Sequence, residues 1–226
     1  ATAAGVRCLV VMPENASPTK VRASREYGAE VILHGDAKAA FTKVFELSEE
    51  RGMTFVHPFD DEEVVAGHGS CGLEIVDQLP SVHTIVVPVG GGGLSSAIAT
   101  AVAAAKPGVA VWGVEPEGAP SMHRSLQAGE AIQLESCSTV ADGLAPPMAG
   151  VLNHALLAAH AKGVVLVSDA QSIGALRVIV GRTRMLVEPS GAAAVAALLL
   201  ARIPPPLLHP VHAVPSGSIL PTPSLS

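Results

Sequence analysis

Four consecutive glycines, Gly90, Gly91, Gly92 and Gly93, stand between an apolar run over residues 82–89 and an alanine-rich stretch over 94–105. Residues without side chains let successive backbone N–H groups turn toward one point. Where that point is the start of a helix, the positive end of the helix dipole joins the free donors, and the pair takes a phosphate or another anion. A merely tight turn is the plainer reading of the same residues. Spacing leaves the kind of phosphate open. The dinucleotide fingerprint G-x-G-x-x-G asks for Gly or Ala at its last position, and Ser95 stands there when the motif starts at Gly90. Glu115 nevertheless falls near the end of the next expected strand, where a ribose-binding acid would lie. An NAD site, and with it an NAD-linked oxidoreductase, stays open on these grounds.

Other reactive side chains carry less. Nine histidines supply no pair at zinc-site spacing with a third ligand nearby. His57 precedes Pro58 at a strand end, His68 lies among glycines, and His154 and His160 do not share a helix face. Structural or surface roles follow for all of them. Cys8, Cys71 and Cys137 are odd in number, far apart and outside any C-x-x-C arrangement, which reads as free thiols in a reducing compartment, the cytoplasm.

The elements that must position the glycines alternate strand and helix. Residues 1–5 read as the last turn of a helix with its Gly stop, which places the start of the chain inside a domain. Strands are expected over residues 6–12, 30–34 and 53–57. Helices lie between them, one opened by Ser17 and Pro18 and the other by Asp36, with stops at Gly28 and Gly52. These form a β-α-β-α-β unit, and residues 1–57 read as a partial small domain. The acids at 60–63 favour a helix N-terminus, and that helix runs to about Leu79. Strand 82–89, the glycine turn, helix 94–105 and strand 109–115 then make a right-handed βαβ unit. Further strands are expected at 163–167 and 211–214, with helices near 173–185 and 191–201, so residues 58–226 read as the larger domain. The expected class is α/β: two open, twisted, mostly parallel sheets flanked by helices.

Composition removes several functions. The chain of 226 residues is 49% hydrophobic and 15% charged, too apolar and too weakly charged for disorder. A net charge of −6 and 3% aromatics argue against a nucleic-acid partner, for want of a basic surface and of stacking platforms. The uncharged stretch over 84–105 has the length of a membrane span, but Pro88 and the four glycines cut it in the middle.

A second kind of evidence decides among phosphates. The segments V-M-P-E-N-A-S-P-T-K (11–20), Y-G-A-E-V (27–31), H-P-F-D-D (57–61), V-P-V-G-G-G-G-L (87–94), G-V-E-P-E (113–117), A-D-G-L-A-P-P (141–147) and V-E-P-S-G-A (187–192) occur in this order. Together they resemble the threonine/serine dehydratases, relatives of serine racemase in the fold-type II pyridoxal-phosphate (PLP) superfamily. The likeness covers nearly the whole chain and weakens after about Arg202. It implies that residues 90–93 cradle the PLP phosphate, that Gly143 lies beside the pyridine ring, that Glu188 sits near the ring's edge, and that the Ser216 hydroxyl meets the ring nitrogen. It also implies the reaction: an L-threonine or L-serine substrate loses its α-proton and β-hydroxyl, giving a 2-oxo acid and ammonia. Family members commonly assemble as dimers or tetramers.

Three departures from the family pattern matter. The Schiff-base lysine of the family stands in an S-F-K-x-R-G context that this chain does not contain, which by the resemblance places it upstream of Ala1. Lys20, in S-P-T-K-V-R-A, belongs to a different segment, and Lys38, Lys43, Lys106 and Lys162 read as solvated helix or loop residues. The 226 residues alone are therefore expected to be inactive, which keeps alive a non-catalytic paralogue or oligomerisation partner that still binds phosphate or PLP. Second, the family's S-G-G-N is S-G-S-I over residues 216–219. Third, kinship with serine racemase suggests an Mg²⁺ or Ca²⁺ site whose first two ligands match Glu115 and the Ala119 carbonyl, but the expected Asp is Ser121.

Overall fold

Residues 1–203 and 211–214 are described by a computed structural model, in which the chain divides into two units, Ala1–Val56 and a second starting at His57. In the first unit a short 3-10 turn over Thr2–Ala4 closes on Gly5, whose φ of 66° gives the helix stop that the sequence implies. Strand β1 (Leu9–Met12) pairs in parallel with β2 (Glu30–Leu33), Leu9 facing Glu30. Between them runs α1 (Pro18–Glu26), with Pro18 in its first turn, where a missing N–H costs nothing. Helix α2 (Ala37–Arg51) opens on Asp36, whose carboxylate accepts from the Ala39 N–H at 2.8 Å, and closes on Gly52.

The third strand expected at 53–57 does not form. The sheet has two strands, and residues 53–57 are irregular. The Met53 N–H is spent on the last turn of α2, bonding the Ser48 carbonyl at 2.9 Å. Phe55 then stacks on α2, its ring centroid 4.8 Å from Phe45 and 6.4 Å from Phe41. Strand-forming residues without a partner edge pack as side chains instead.

The second unit is a parallel sheet of order β5-β4-β3-β6 with helices on both faces. In chain order it runs α3 (Glu62–Gln78), β3 (Thr84–Pro88), α4 (Gly93–Ala105), β4 (Ala110–Pro116), α5 (Ser121–Ala128), α6 (Val151–His160), β5 (Gly163–Val167), α7 (Asp169–Thr183), α8 (Pro189–Leu199) and β6 (Val211–Ala213). Helices α5 and α6 are not foreseen by the apolar spacing. All five residues of β3 are buried. Its alternate side chains feed two cores, as a strand covered on both faces requires. Ile85 and Val87 join Ile98, Val102, Met122 and Leu157, while Val86 joins Val114, Val167 and the alanines of α8. Each such Val or Ile, moved wholly out of water, contributes roughly 1.5–3 kcal/mol. Ala192, Ala193, Ala194, Ala196 and Ala197 let α8 lie close against the sheet. Among the described residues no helix is long and apolar enough to cross a membrane.

Candidate functional site

In a parallel α/β sheet, ligands gather beyond the carboxyl ends of the strands, and the glycine loop sits there, between Pro88 of β3 and the first turn of α4. Gly92 is the N-cap of α4, with φ at 98°, a conformation that costs a side-chain-bearing residue about 1–2 kcal/mol. The first helical bond of α4 runs from the Ser96 N–H to the Gly92 carbonyl at 2.8 Å. Among the described residues, the N–H groups of Gly90 through Ser95 have no acceptor. That is a row of donors at the positive end of a 13-residue helix.

The loop owes its shape to what presses on it. A Cβ on Gly91 would clash with the Phe59 ring, 2.3 Å from Cδ2, and one on Gly93 would lie 2.9 Å from the Phe59 carbonyl oxygen. A Cβ on Gly92 would lie 2.7 Å from Met122 Cε and 2.8 Å from Asn153 Cβ. On its other flank, a Cβ on Gly90 would stand 3.1 Å from the Gly143 carbonyl oxygen. Gly143 in turn donates its N–H to Ser190 Oγ at 3.1 Å, and a Cβ there would be 3.2 Å from Glu188 Oε1. The structure thus brings Gly90, Gly143 and Glu188 together through direct neighbours, with Ser190 beside them. Ser216 lies outside the described residues.

Two residues that sequence spacing does not single out hold this arrangement. Asn153 of α6 is fully buried, and its amide donates to the Phe59 carbonyl at 2.7 Å and the Gly91 carbonyl at 3.0 Å while accepting from Ser96 Oγ at 2.8 Å. Asp60 accepts from Val151 N–H at 3.0 Å and Leu152 N–H at 3.1 Å, capping α6. The acids at 60–63 therefore divide: Asp61 caps α3 through the Glu63 and Val64 N–H groups, and Asp60 reaches across to a helix far along the chain. His57 has a supporting role, its Nδ1 accepting from Asp60 N–H at 2.8 Å and Phe59 N–H at 3.2 Å. Burial lowers its pKa, against the pull of Asp60 and Asp61. Only proximity in the fold exposes the roles of Asn153 and Asp60, because their bonds join segments that no local pattern connects.

Glu115, at the end of β4, is fully buried. Oε1 accepts from the Met122 N–H at 2.8 Å and the Ser121 hydroxyl at 3.3 Å, and Oε2 from the His123 N–H at 2.7 Å. It closes the N-terminus of α5, whose own N-cap position, Pro120, makes no side-chain bond. Burial pushes its pKa up to about 7, opposed by these three donors. Its burial and its bonds to the start of α5 make Glu115 a helix cap, which does not favour the dinucleotide reading's ribose-binding acid. Ala119 is buried nearby, Ser121 supplies only a hydroxyl, and among the described residues no group of three His, Cys, Asp or Glu could hold a metal ion.

The lysines divide between the units. Lys20, Lys38 and Lys43 belong to the first unit, Lys106 follows α4 at the end away from the loop, about 20 Å along the helix, and Lys162 precedes β5.

Known proteins resemble this chain in sequence and in fold. An L-threonine ammonia-lyase of Geobacter sulfurreducens is 45% identical over 200 residues, 88% of this chain and 50% of that protein. One from Thermotoga maritima is 39% identical over 196 residues, 86% of this chain and 49% of the relative. The chain thus spans about half the length of these curated relatives. Among solved structures, a threonine deaminase whose source is abbreviated T.th. superposes with a TM-score of 0.91 at 39% identity, covering 98% of this chain and 73% of that one. The serine racemase of Dictyostelium discoideum does so with 0.88 at 32%, covering 97% and 71%. These relatives share the fold-type II architecture expected from the sequence. The profile described as "Pyridoxal-phosphate dependent enzyme" matches residues 1–207, and the chain belongs to that family.

Proposed function

We propose that this chain carries the phosphate-binding part of a PLP-dependent L-threonine/L-serine ammonia-lyase, with the donor row at the mouth of α4 as the observation that supports it most. The residues fit the group. A phosphate ester brings two negative charges and acceptor oxygens to a point where amides of residues 90–95 are without partners among the described residues. Gly90 and Gly143 present backbone without side chains beside that point, and Glu188 lies next to Gly143. PLP, when bound, supplies an electron sink for the α-carbon of an amino acid. The loop residues bind and orient its phosphate, Gly143 and Glu188 border its ring, and Ser216 is assigned by resemblance to the ring nitrogen. A neutral hydroxyl there leaves the nitrogen unprotonated, which suits elimination from a β-hydroxy amino acid. The named activities of the relatives point to the same substrates.

A second reading, a chain that binds the cofactor without turning over, is favoured by the lysines. Neither Lys106 nor Lys162, the lysines of the second unit, stands at the mouth of α4, and no S-F-K-x-R-G context occurs in the 226 residues. One pair of measurements tests both readings. PLP titrated into the chain, followed by absorbance, is expected to bind and to be displaced by inorganic phosphate. L-threonine with PLP is expected to give no 2-oxobutyrate from the 226 residues alone. Native-like turnover, or borohydride labelling of one specific lysine, would refute the lysine argument. Tight NADH binding with none of PLP would refute the assignment as a whole.

A further inference from the structure

The direction in which the glycine loop's donors point is set from outside the loop. A peptide unit is planar and trans, so the carbonyl of one residue and the N–H of the next point to opposite sides. The Gly91 carbonyl accepts two bonds, from the Gly150 N–H at 3.0 Å and from Asn153 Nδ2 at 3.0 Å. Both donors lie on the α6 side, so the Gly92 N–H, in the same peptide plane, is turned away from α6. The Phe59 and Gly91 carbonyls decide which way the Asn153 amide faces, because both can only accept and so take Nδ2, leaving Oδ1 to the Ser96 hydroxyl at 2.8 Å. No phosphate contact is required of Asn153 itself. It lies under the loop, fully buried, with all three of its bonds accounted for by protein.

We infer that Asn153 is a positioning residue for phosphate recognition, fixing the Gly91–Gly92 peptide so that its N–H faces the ligand. The inference rests on the phosphate reading of the glycine loop. Without the Asn153 amide, the Gly91 carbonyl keeps one bond in place of two, and the peptide gains freedom to rotate. The expected signature is specific to the phosphate ester and spares the ring.

The test compares PLP with pyridoxal, which carries the same ring without the phosphate, in the 226-residue chain and its Asn153→Leu variant, by equilibrium titration. The wild-type chain is expected to prefer PLP over pyridoxal. In Asn153→Leu, PLP affinity is expected to fall about tenfold, the scale of one charge-assisted hydrogen bond, with pyridoxal affinity little changed. A preference for PLP that survives intact in the variant, even if both affinities fall, would mean that Asn153 only supports the fold, and would overturn the inference. A wild-type chain with no preference for PLP would overturn the phosphate reading itself. Should Asn153→Leu fail to fold, Ser96→Ala, which removes the hydroxyl that anchors Asn153 Oδ1, is expected to reduce the same preference by about threefold; an unchanged preference there overturns the inference equally.

Discussion

Replacing Glu115 by glutamine separates the charge of this residue from its shape. The carboxyl group is fully buried and its pKa stands at about 7, against an ordinary 4.5. At about 1.4 kcal/mol per pH unit, that displacement amounts to about 3 kcal/mol. Its sign follows from proton uptake. Between about pH 4.5 and pH 7 the folded protein holds a proton on Glu115 that the unfolded chain has released, so folding is favoured by acid. The contribution is fully present below the unfolded value, fades as pH rises through 7, and is gone above it. The wild-type protein should therefore lose about 2–3 kcal/mol of stability from this residue between about pH 5 and pH 8. Glutamine cannot titrate, and its NH₂ leaves one of the two α5 N–H groups, Met122 or His123, without an acceptor, at a cost of about 1–3 kcal/mol at any pH. Glu115→Gln should be less stable than wild type at about pH 5 and close to it, or better, at about pH 8. Urea unfolding of both proteins at each pH measures this. Parallel stability profiles, with a constant gap between the two, would refute the buried, proton-holding cap.

Three further outcomes are expected. Gly91→Ala should cost about 1–3 kcal/mol, because the new methyl group clashes with the Phe59 ring. Combined with Phe59→Ala, which clears that space, the pair should cost less than the sum of the single changes; strict additivity in a double-mutant cycle would show that the two do not meet. Asp60→Ala should cost about 1–2 kcal/mol by uncapping α6 at the Val151 and Leu152 N–H groups, seen as a lower urea midpoint with an unchanged slope. An unmoved midpoint would dismiss that cap. Cys8, Cys71 and Cys137 are free, so unfolding curves with and without dithiothreitol should superimpose, and a shift would reveal a disulfide.

Local chemistry made much of this legible from the residues. The glycine turn, the Asp36 cap and the stops at Gly5 and Gly52 are written in one or two neighbouring side chains, and they stand where the sequence places them. What could not be read is non-local. Residues 53–57 have strand-forming side chains, but whether a strand forms depends on an edge that their own sequence does not specify. Helix α5 is short and starts behind a proline with no capping side chain; its cap is Glu115, which belongs to the preceding strand. Asn153 is an ordinary polar residue until the fold sets it beneath Gly91. Resemblance supplied the order of the motifs, and only the structure supplied what lies between them.

The place of β6 has a consequence for how the protein is made. It pairs with β3, so that Thr84 waits for Val211 and the Val86 carbonyl waits for the Val214 amide. During synthesis, the strand that leads into the glycine loop emerges early with one flank open, and β4 can close only the other. The backbone groups of Thr84, Ile85 and Val86 on that flank stay unpaired until residues 211–214 leave the ribosome. Such late, long-range closure slows folding and leaves a sticky border exposed meanwhile. Chaperone demand during translation, more than the finished molecule's endurance, is where this topology makes itself felt.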